Sequence, residues 1–284
     1  MKTLRGKKAL VTGAASGLGR AIALALAHEG VDLFLLDIDE AGLNEVIFEV
    51  TALRVCAVGR QCDLTKPEDI TAAVEDLKKR WQHVDILVNN AGVAYYGPTH
   101  KMTAEQWDWI LDINLRAPVR LVQELLPTLL ERPESHILNM GSISGLVAGG
   151  RFAAYHVSKF GIVGFSEALR AEYGRKGIGV SVLCPGPVRT KLYENAAGGR
   201  PEKPVPTPPR WICTTEEKVA KAAVKAIRKN KRMILLTPLA HMLYTTKRIA
   251  PWFLDALSQI GRKKKHKATP AKPVESSQQR SRAA

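Results

Sequence analysis

Lys8-Ala-Leu-Val-Thr12, then Gly13-Ala-Ala-Ser16-Gly17-Leu18-Gly19, then Arg20-Ala-Ile-Ala-Leu-Ala-Leu-Ala-His-Glu-Gly30 is the stretch on which the fold turns. The first five residues form an apolar run of strand type. The last eleven are strong helix formers with a glycine stop. Between them, Gly13 permits a tight turn, Gly17 lets backbone approach a ligand, and Gly19 permits a helix to pack closely on a strand. A helix opening there presents N–H groups and a positive dipole end to phosphate.

The next strand, VDLFLLD, ends in Asp37, eighteen residues past Gly19. Strand, glycine turn, helix and a following carboxylate make a dinucleotide fingerprint. A carboxylate at this place accepts both ribose hydroxyls of an adenosine and repels a 2′-phosphate. No Lys or Arg lies between Gly13 and Gly19 to bind that phosphate, so NAD is expected over NADP. Asp37 has a second reading as N-cap of the helix DEAGLNEV, a role that Asp39 fills as well or better.

Tyr155 and Lys159 lie four residues apart, thirteen and seventeen residues after Ser142. That spacing puts a phenol and an ammonium on one helix face. The positive charge favours the phenolate, and a tyrosine tuned in this way exchanges a proton with an alcohol oxygen near neutral pH. Alone, Tyr-x-x-x-Lys recurs by chance; the glycine loop gives it weight.

From about Lys7 to Arg232 the chain resembles the short-chain dehydrogenase/reductase family. Thr12-Gly13-x-x-x-Gly17-x-Gly19 is similar to its cofactor loop, Asp63-Leu64 to the pair that touches adenine, and Asn89-Asn90-Ala91-Gly92 to its fourth-strand signature. Asn114 falls where the family keeps a fourth catalytic residue. Ser142, Tyr155 and Lys159 match its catalytic serine, tyrosine and lysine in order and spacing, and Pro185-Gly186-x-Val188-x-Thr190 matches the turn that holds the nicotinamide. The resemblance implies that Ser142 hydrogen-bonds the substrate oxygen and that Tyr155 exchanges the proton. Lys159 lowers the tyrosine pKa and holds the nicotinamide ribose, and Asn114 anchors a relaying water. Ser16 and Leu18 join the implied cofactor set. Singly, Ser142 also reads as a strand end and Asn114 as a buried amide.

At 284 residues the chain fits one α/β domain with a tail. ALVTG, LFLLD, RVCAVG, DILVNN, HILNM, GVSVLCP and MILLT are strand candidates alternating with helical segments. This pattern predicts a single Rossmann-type, doubly wound parallel sheet of about seven strands with helices on both faces. The division expected is 1–237 for the catalytic domain, with a substrate lid at about 187–215 implied by the family, then 238–267 for a basic amphipathic extension and 268–284 for a disordered tail. Cys56, Cys62, Cys184 and Cys213 lack metal or disulfide spacing, and no metal site is expected. MKTLRGKK has no apolar stretch, so no signal peptide and a cytoplasmic location are expected. His156, beside the tyrosine, is expected to point away from the substrate.

Charge is uneven. From Lys225 onward the chain carries 15 Lys/Arg and 2 Asp/Glu, a net of +13 out of a total of +15, so the first 224 residues carry only +2. The stretch LAHMLYTTKRIAPWFLDALSQI has apolar residues at helical spacing and is too interrupted by charge to span a bilayer. It reads either as an interfacial segment on an anionic membrane or as a helix packed on the cleft or a partner subunit. Nucleic-acid binding by GRKKKHK is a third reading, against which the body offers no basic face or motif. A homodimer through the helix opening at Thr103 and the helix carrying Tyr155 is implied by the family.

Val147, Phe152, Leu192, Tyr193 and Trp211 are candidates for an apolar pocket. With the basic apolar tail they tilt the reading toward alcohol–ketone interconversion on a lipophilic small molecule such as a steroid, retinoid or fatty-acyl derivative. The alternatives are a 3-oxoacyl reductase acting on a carrier-protein or CoA substrate, and a non-catalytic dinucleotide-sensing interaction protein.

Overall fold

The computed structural model describes residues 1–188, 197–198 and 208–259. Its centre is a seven-stranded, fully parallel sheet. The strands are β1 (Lys8–Thr12), β2 (Asp32–Asp37), β3 (Ala57–Gln61), β4 (Ile86–Asn89), β6 (Ser135–Met140), β7 (Ile178–Cys184) and β9 (Met233–Leu235). Their spatial order is β3-β2-β1-β4-β6-β7-β9. The chain therefore winds outward from β1 in one direction, returns, and continues from β4 in the other. The crevice between the carboxyl ends of β1 and β4 is the switch point where such sheets bind ligands. Two-residue strands β5 (Tyr95–Tyr96) and β8 (Ala197–Gly198) pair separately.

Burial on both faces explains the composition of the central strands. All seven residues of β7 and all six of β6 are buried, as a parallel sheet covered by helices requires. On one face lie α1 (Gly17–His28), α2 (Glu40–Thr51) and α7 (Glu216–Lys229), sharing a core built on Ile22, Leu26, Val46, Ala223 and Ile227. On the other lie α3 (Pro67–Trp81), α5 (Ala117–Leu130) and α6 (Ala153–Tyr173), whose Leu77, Leu121, Leu125 and Leu169 pack under Phe34, Leu87 and Ile137. Helix α4 (Ala104–Leu111) opens at Thr103 with a reciprocal Thr103/Gln106 capping box.

Local chemistry sets the ends. Asp39 caps α2, its carboxylate accepting from Gly42 N–H at 3.1 Å, which leaves Asp37 to other work. The β3 strand begins at Ala57, later than RVCAVG suggests. Arg54 takes a left-handed φ of 63°, and Cys56 N–H is drawn to the Asp32 carboxylate at 2.8 Å. Both spend the first residues of that run on the turn out of α2.

After β9 come α8 (Pro238–Ile249) and α9 (Pro251–Gln259). The proposed lid at 187–215 is described in part. Val188 bridges to Thr214, and Thr214 N–H donates to Pro187 O at 2.9 Å. Ala197–Gly198 runs beside Tyr95–Tyr96. Thr190, Leu192 and Tyr193, and the tail from residue 260 on, lie outside the described residues.

Candidate active site

A cleft of about 470 Å³ opens at the carboxyl ends of the strands. The order of the sheet sets its layout, with Asp37, Ile38, Asp63 and Leu64 after β2 and β3 on one side and Ser142, Tyr155, Lys159, Pro185, Gly186 and Val188 after β6 and β7 on the other. Gly13, Ser16, Gly17, Leu18, Asn90, Ala91 and Gly92 line its middle.

The glycine turn is fixed by β4. Thr12 Oγ1 accepts from the N–H groups of Asn90 (3.0 Å) and Ala91 (3.1 Å). The Asn90 amide donates to the carbonyls of Thr12 (3.0 Å) and Gly13 (3.2 Å). Gly13 has φ +64°, and a Cβ there would meet Ala91 Cα at 2.8 Å. Gly19 is not on the cleft wall; a Cβ there would overlap the Gly13 carbonyl, so its hydrogen lets α1 lie against the turn. Ser16 is extended and its side chain makes no cap to α1, so the first N–H groups of the helix face the cleft unspent on a cap.

Asp37 is held in place: Oδ2 accepts from Ala15 N–H at 2.9 Å and Oδ1 from Asp39 N–H at 3.1 Å. Asp63 Oδ1 accepts from the backbone and hydroxyl of Thr65 at 3.0 and 2.7 Å. Arg20, the nearest cation in sequence to the glycine turn, is engaged by Glu49 at 2.5 and 3.2 Å. The uncapped α1 N-terminus beside the glycine turn and a fixed carboxylate at the end of β2 fit a pyrophosphate-linked dinucleotide.

At the other end, Ser142 begins a 3₁₀ turn (Ile143–Gly145), its Oγ accepting from Ser144 N–H at 3.1 Å. Lys159 is 3% exposed; its Nζ donates to Met140 O at 2.8 Å and lies 5.7 Å from the centroid of the Tyr155 ring. Burial pushes its pKa from 10.5 down to about 8. Asn114 sits in a π-helical turn, Asp112–Arg116, between α4 and α5. Its Oδ1 accepts from Val93 N–H at 2.8 Å, and its Nδ2 donates to Val93 O at 2.9 Å and Ser158 Oγ at 3.0 Å. Ser158 in turn donates to Tyr155 O at 2.8 Å. The Asn114 amide thus has both donors committed and holds the helical turn that carries Tyr155; a water would meet only its remaining acceptor capacity.

His156 points away from the cleft, as expected. Its Nε2 accepts from Gly149 N–H at 2.9 Å, which leaves Nδ1–H to donate to Ser144 O at 2.8 Å. The ring therefore fastens the segment after Ser142 to α6, a role that no sequence spacing announces. Phe152 lines the cleft, its ring between those of Tyr96 (5.0 Å) and Tyr155 (6.1 Å). Val147 instead packs behind the wall with Leu146 and Val163. Trp211 is 86% exposed and does not line the cleft, which corrects its place among the pocket candidates: its 3₁₀ turn, Arg210–Ile212, has no buried residue to draw the indole inward.

Burial pushes the thiols of Cys62, on the cleft wall, and of Cys184, in the core cluster with Leu146 and Val163, up to about 12. Among the described residues no group of three or more His, Cys, Asp and Glu is placed to hold a metal ion.

Comparison with known proteins places the fold in a family. The profile of the family described as short chain dehydrogenase matches residues 7–200. The chain is 36% identical over 211 residues to oxidoreductase UcpA of Escherichia coli K12, covering 72% of this chain and 78% of that protein. It is 37% identical over 196 residues to D-threitol dehydrogenase of Mycolicibacterium smegmatis, covering 69% and 75%. A short-chain dehydrogenase/reductase from Burkholderia phymatum, solved in complex with NAD, superposes with TM-score 0.79 at 26% identity, covering 89% of this chain and 97% of that one. The chain belongs to the short-chain dehydrogenase/reductase family of oxidoreductases.

Proposed function

We propose that this oxidoreductase interconverts a secondary alcohol and a ketone on a lipophilic small molecule, with NAD(H) as its dinucleotide. The observation that carries the reading is that Ser142, Tyr155 and Lys159 line the same cleft as the glycine turn and Asp37. The α1 N-terminus with Gly13, Ser16, Gly17 and Leu18 would hold the pyrophosphate, Asp37 the adenosine ribose, and Asp63 and Leu64 the adenine. Asn90, Ala91, Gly92, Pro185, Gly186 and Val188, with Thr190, would hold the nicotinamide half. When bound, NAD supplies the hydride acceptor for alcohol oxidation and, in its reduced form, the donor for the reverse reaction.

The residues of the chain do the proton work. In oxidation, Tyr155 takes the hydroxyl proton as the carbon–hydrogen bond breaks; in reduction, it returns that proton to the carbonyl oxygen. The Ser142 hydroxyl donates to the same oxygen and fixes its distance from the phenol. The Lys159 ammonium favours the phenolate electrostatically. Asn114, through Ser158, keeps Tyr155 in register. Val93, Ala94, Ile113, Ile143 and Phe152 give the wall an apolar character that suits a lipophilic substrate. Asp37, together with the Arg20–Glu49 pairing, supports NAD over NADP. The exposed Val157 and Phe160 on α6 support the homodimer expected from the family.

The test is hydride transfer, followed by reduced-nicotinamide absorbance, with NAD and NADP against sterols, retinols, 3-oxoacyl thioesters and short polyols. Turnover should be highest with NAD and a lipophilic alcohol. Tyr155→Phe should lower kcat by about 10²–10⁴-fold while leaving dinucleotide affinity intact. Preference for the polyols would overturn the substrate class, and preference for NADP the cofactor.

A further inference from the structure

Eleven large apolar side chains stand exposed among the described residues, and five of them fall within residues 242–257: Met242, Ile249, Trp252, Phe253 and Leu257. This cluster belongs to α8 and α9, beyond the stretch that the family profile matches. Helix α8 is anchored from below. Thr237 caps it, Ala240 is buried, and Tyr244 packs with Ile143 and Val147 against Leu146 and Val163. The five large apolar side chains of the pair nonetheless stand exposed. At 3.6 residues per turn, Trp252, Phe253, Ala256 and Leu257 share one face of α9, and the Trp252 and Phe253 rings meet edge-on at 6.1 Å.

The charge of this segment is mostly positive. Lys247 and Arg248 are exposed in the last turn of α8, with Arg248 braced on Tyr244, its Nη1 donating to the phenol oxygen at 3.1 Å. Arg262, Lys263, Lys264, Lys265 and Lys267 follow in sequence, so residues 238–267 hold seven Lys/Arg against a single acid, Asp255. We propose that the α8–α9 pair is a peripheral docking surface for an anionic phospholipid bilayer. Trp252, Phe253 and Leu257 would enter the headgroup boundary, and Lys247 and Arg248 would meet lipid phosphate.

Charge complementarity selects this occupant. A second copy docked by the same face would bring like charges together across a two-fold. A nucleic acid would satisfy the cations but gives no reason for exposed Met242, Ile249 and Leu257, which are not stacking platforms. No helix among the described residues is long and apolar enough to cross a membrane, so the pair lies on the surface. Because Tyr244 and Ile143 pack against the same buried cluster, docking sets the bilayer near the segment that follows Ser142. The inference does not depend on which alcohol is oxidised.

The test is co-sedimentation of the full chain with vesicles of phosphatidylcholine alone and of phosphatidylcholine with phosphatidylglycerol, at low and high salt. Binding should require the anionic lipid and weaken with salt. Trp252→Ser/Phe253→Ser/Leu257→Ser and, separately, Lys247→Glu/Arg248→Glu should each reduce partitioning by about tenfold or more, with melting midpoints close to wild type. Wild-type protein that stays in the supernatant with anionic vesicles overturns the proposal. So does vesicle binding that neither set changes; in that case a smaller oligomer for the serine variant in light scattering would assign the face to a second copy.

Discussion

Lys159 Nζ donates to the main-chain oxygen of Met140 at 2.8 Å, tying α6 to the carboxyl end of β6 with a buried ammonium. Burial holds its pKa at about 8 in the folded chain, against 10.5 for the free side chain. Between those pH values the folded protein binds fewer protons than the unfolded one, so this residue makes folding more favourable as pH rises. Below pH 8 both states carry the charge and the whole burial penalty, roughly 3 kcal/mol, is present. The unfolding free energy of wild type minus that of Lys159→Met should therefore increase by about that amount from pH 8 to 10.5 in the dinucleotide-free protein. A difference that stays flat in denaturant titrations across this range would show that the ammonium is better solvated than its position implies.

What the sequence made legible, and what it did not, follows from the range of the interactions. Helix Pro67–Trp81 is legible in the sequence from its Pro start and apolar period, because those signals are local. The glycine turn and Asp37 were readable because a strand, a turn and a helix in succession constrain one another. The π-turn at Asn114 was not, since it depends on one inserted residue within an otherwise helical run. The Asn114–Ser158–Tyr155 chain was hidden for the same reason: it crosses 44 positions from one helix to another. Trp211 shows the opposite failure, an aromatic assigned inward by type although its turn has no buried residue.

Asp37 offers the sharpest test of cofactor choice. Its oxygens already accept from Ala15 and Asp39 N–H groups, so the carboxylate is fixed before any ribose arrives. Asp37→Ala should weaken NAD by about tenfold or more and remove the repulsion toward a 2′-phosphate, so that the kcat/KM ratio of NAD to NADP falls by a larger factor than either value alone. An unchanged ratio would mean that another group sets the preference.

Asp85 lies at the other end of the sheet and should matter for stability alone. It is 1% exposed and accepts from Lys8 N–H at 3.0 Å, Arg132 Nε at 2.9 Å and Lys7 Nζ at 3.4 Å. Asp85→Ala strands two partly buried cations and a strand N–H, at a cost of roughly 2–4 kcal/mol. The melting midpoint should fall by on the order of 5–10 °C while KM for the dinucleotide holds at low temperature. A matching loss of dinucleotide affinity would be inconsistent with its place at the amino ends of β1 and β4.

His156 should act as a positioning residue for the substrate wall. Through Gly149 N–H and Ser144 O it fixes the segment that carries Ser144 and leads to Phe152, both of which line the cleft. In His156→Ala both hydrogen bonds are lost, each worth about 1 kcal/mol, and the segment is free to sample other positions. KM for the alcohol or ketone should rise by about tenfold, with a smaller change in kcat and almost none in KM for the dinucleotide, because the glycine turn and Asp37 are untouched. His156→Asn can still donate to Ser144 O and should recover part of the loss. If the alanine variant lowers kcat with KM unchanged, the ring bears on Tyr155 itself rather than on the wall beside it.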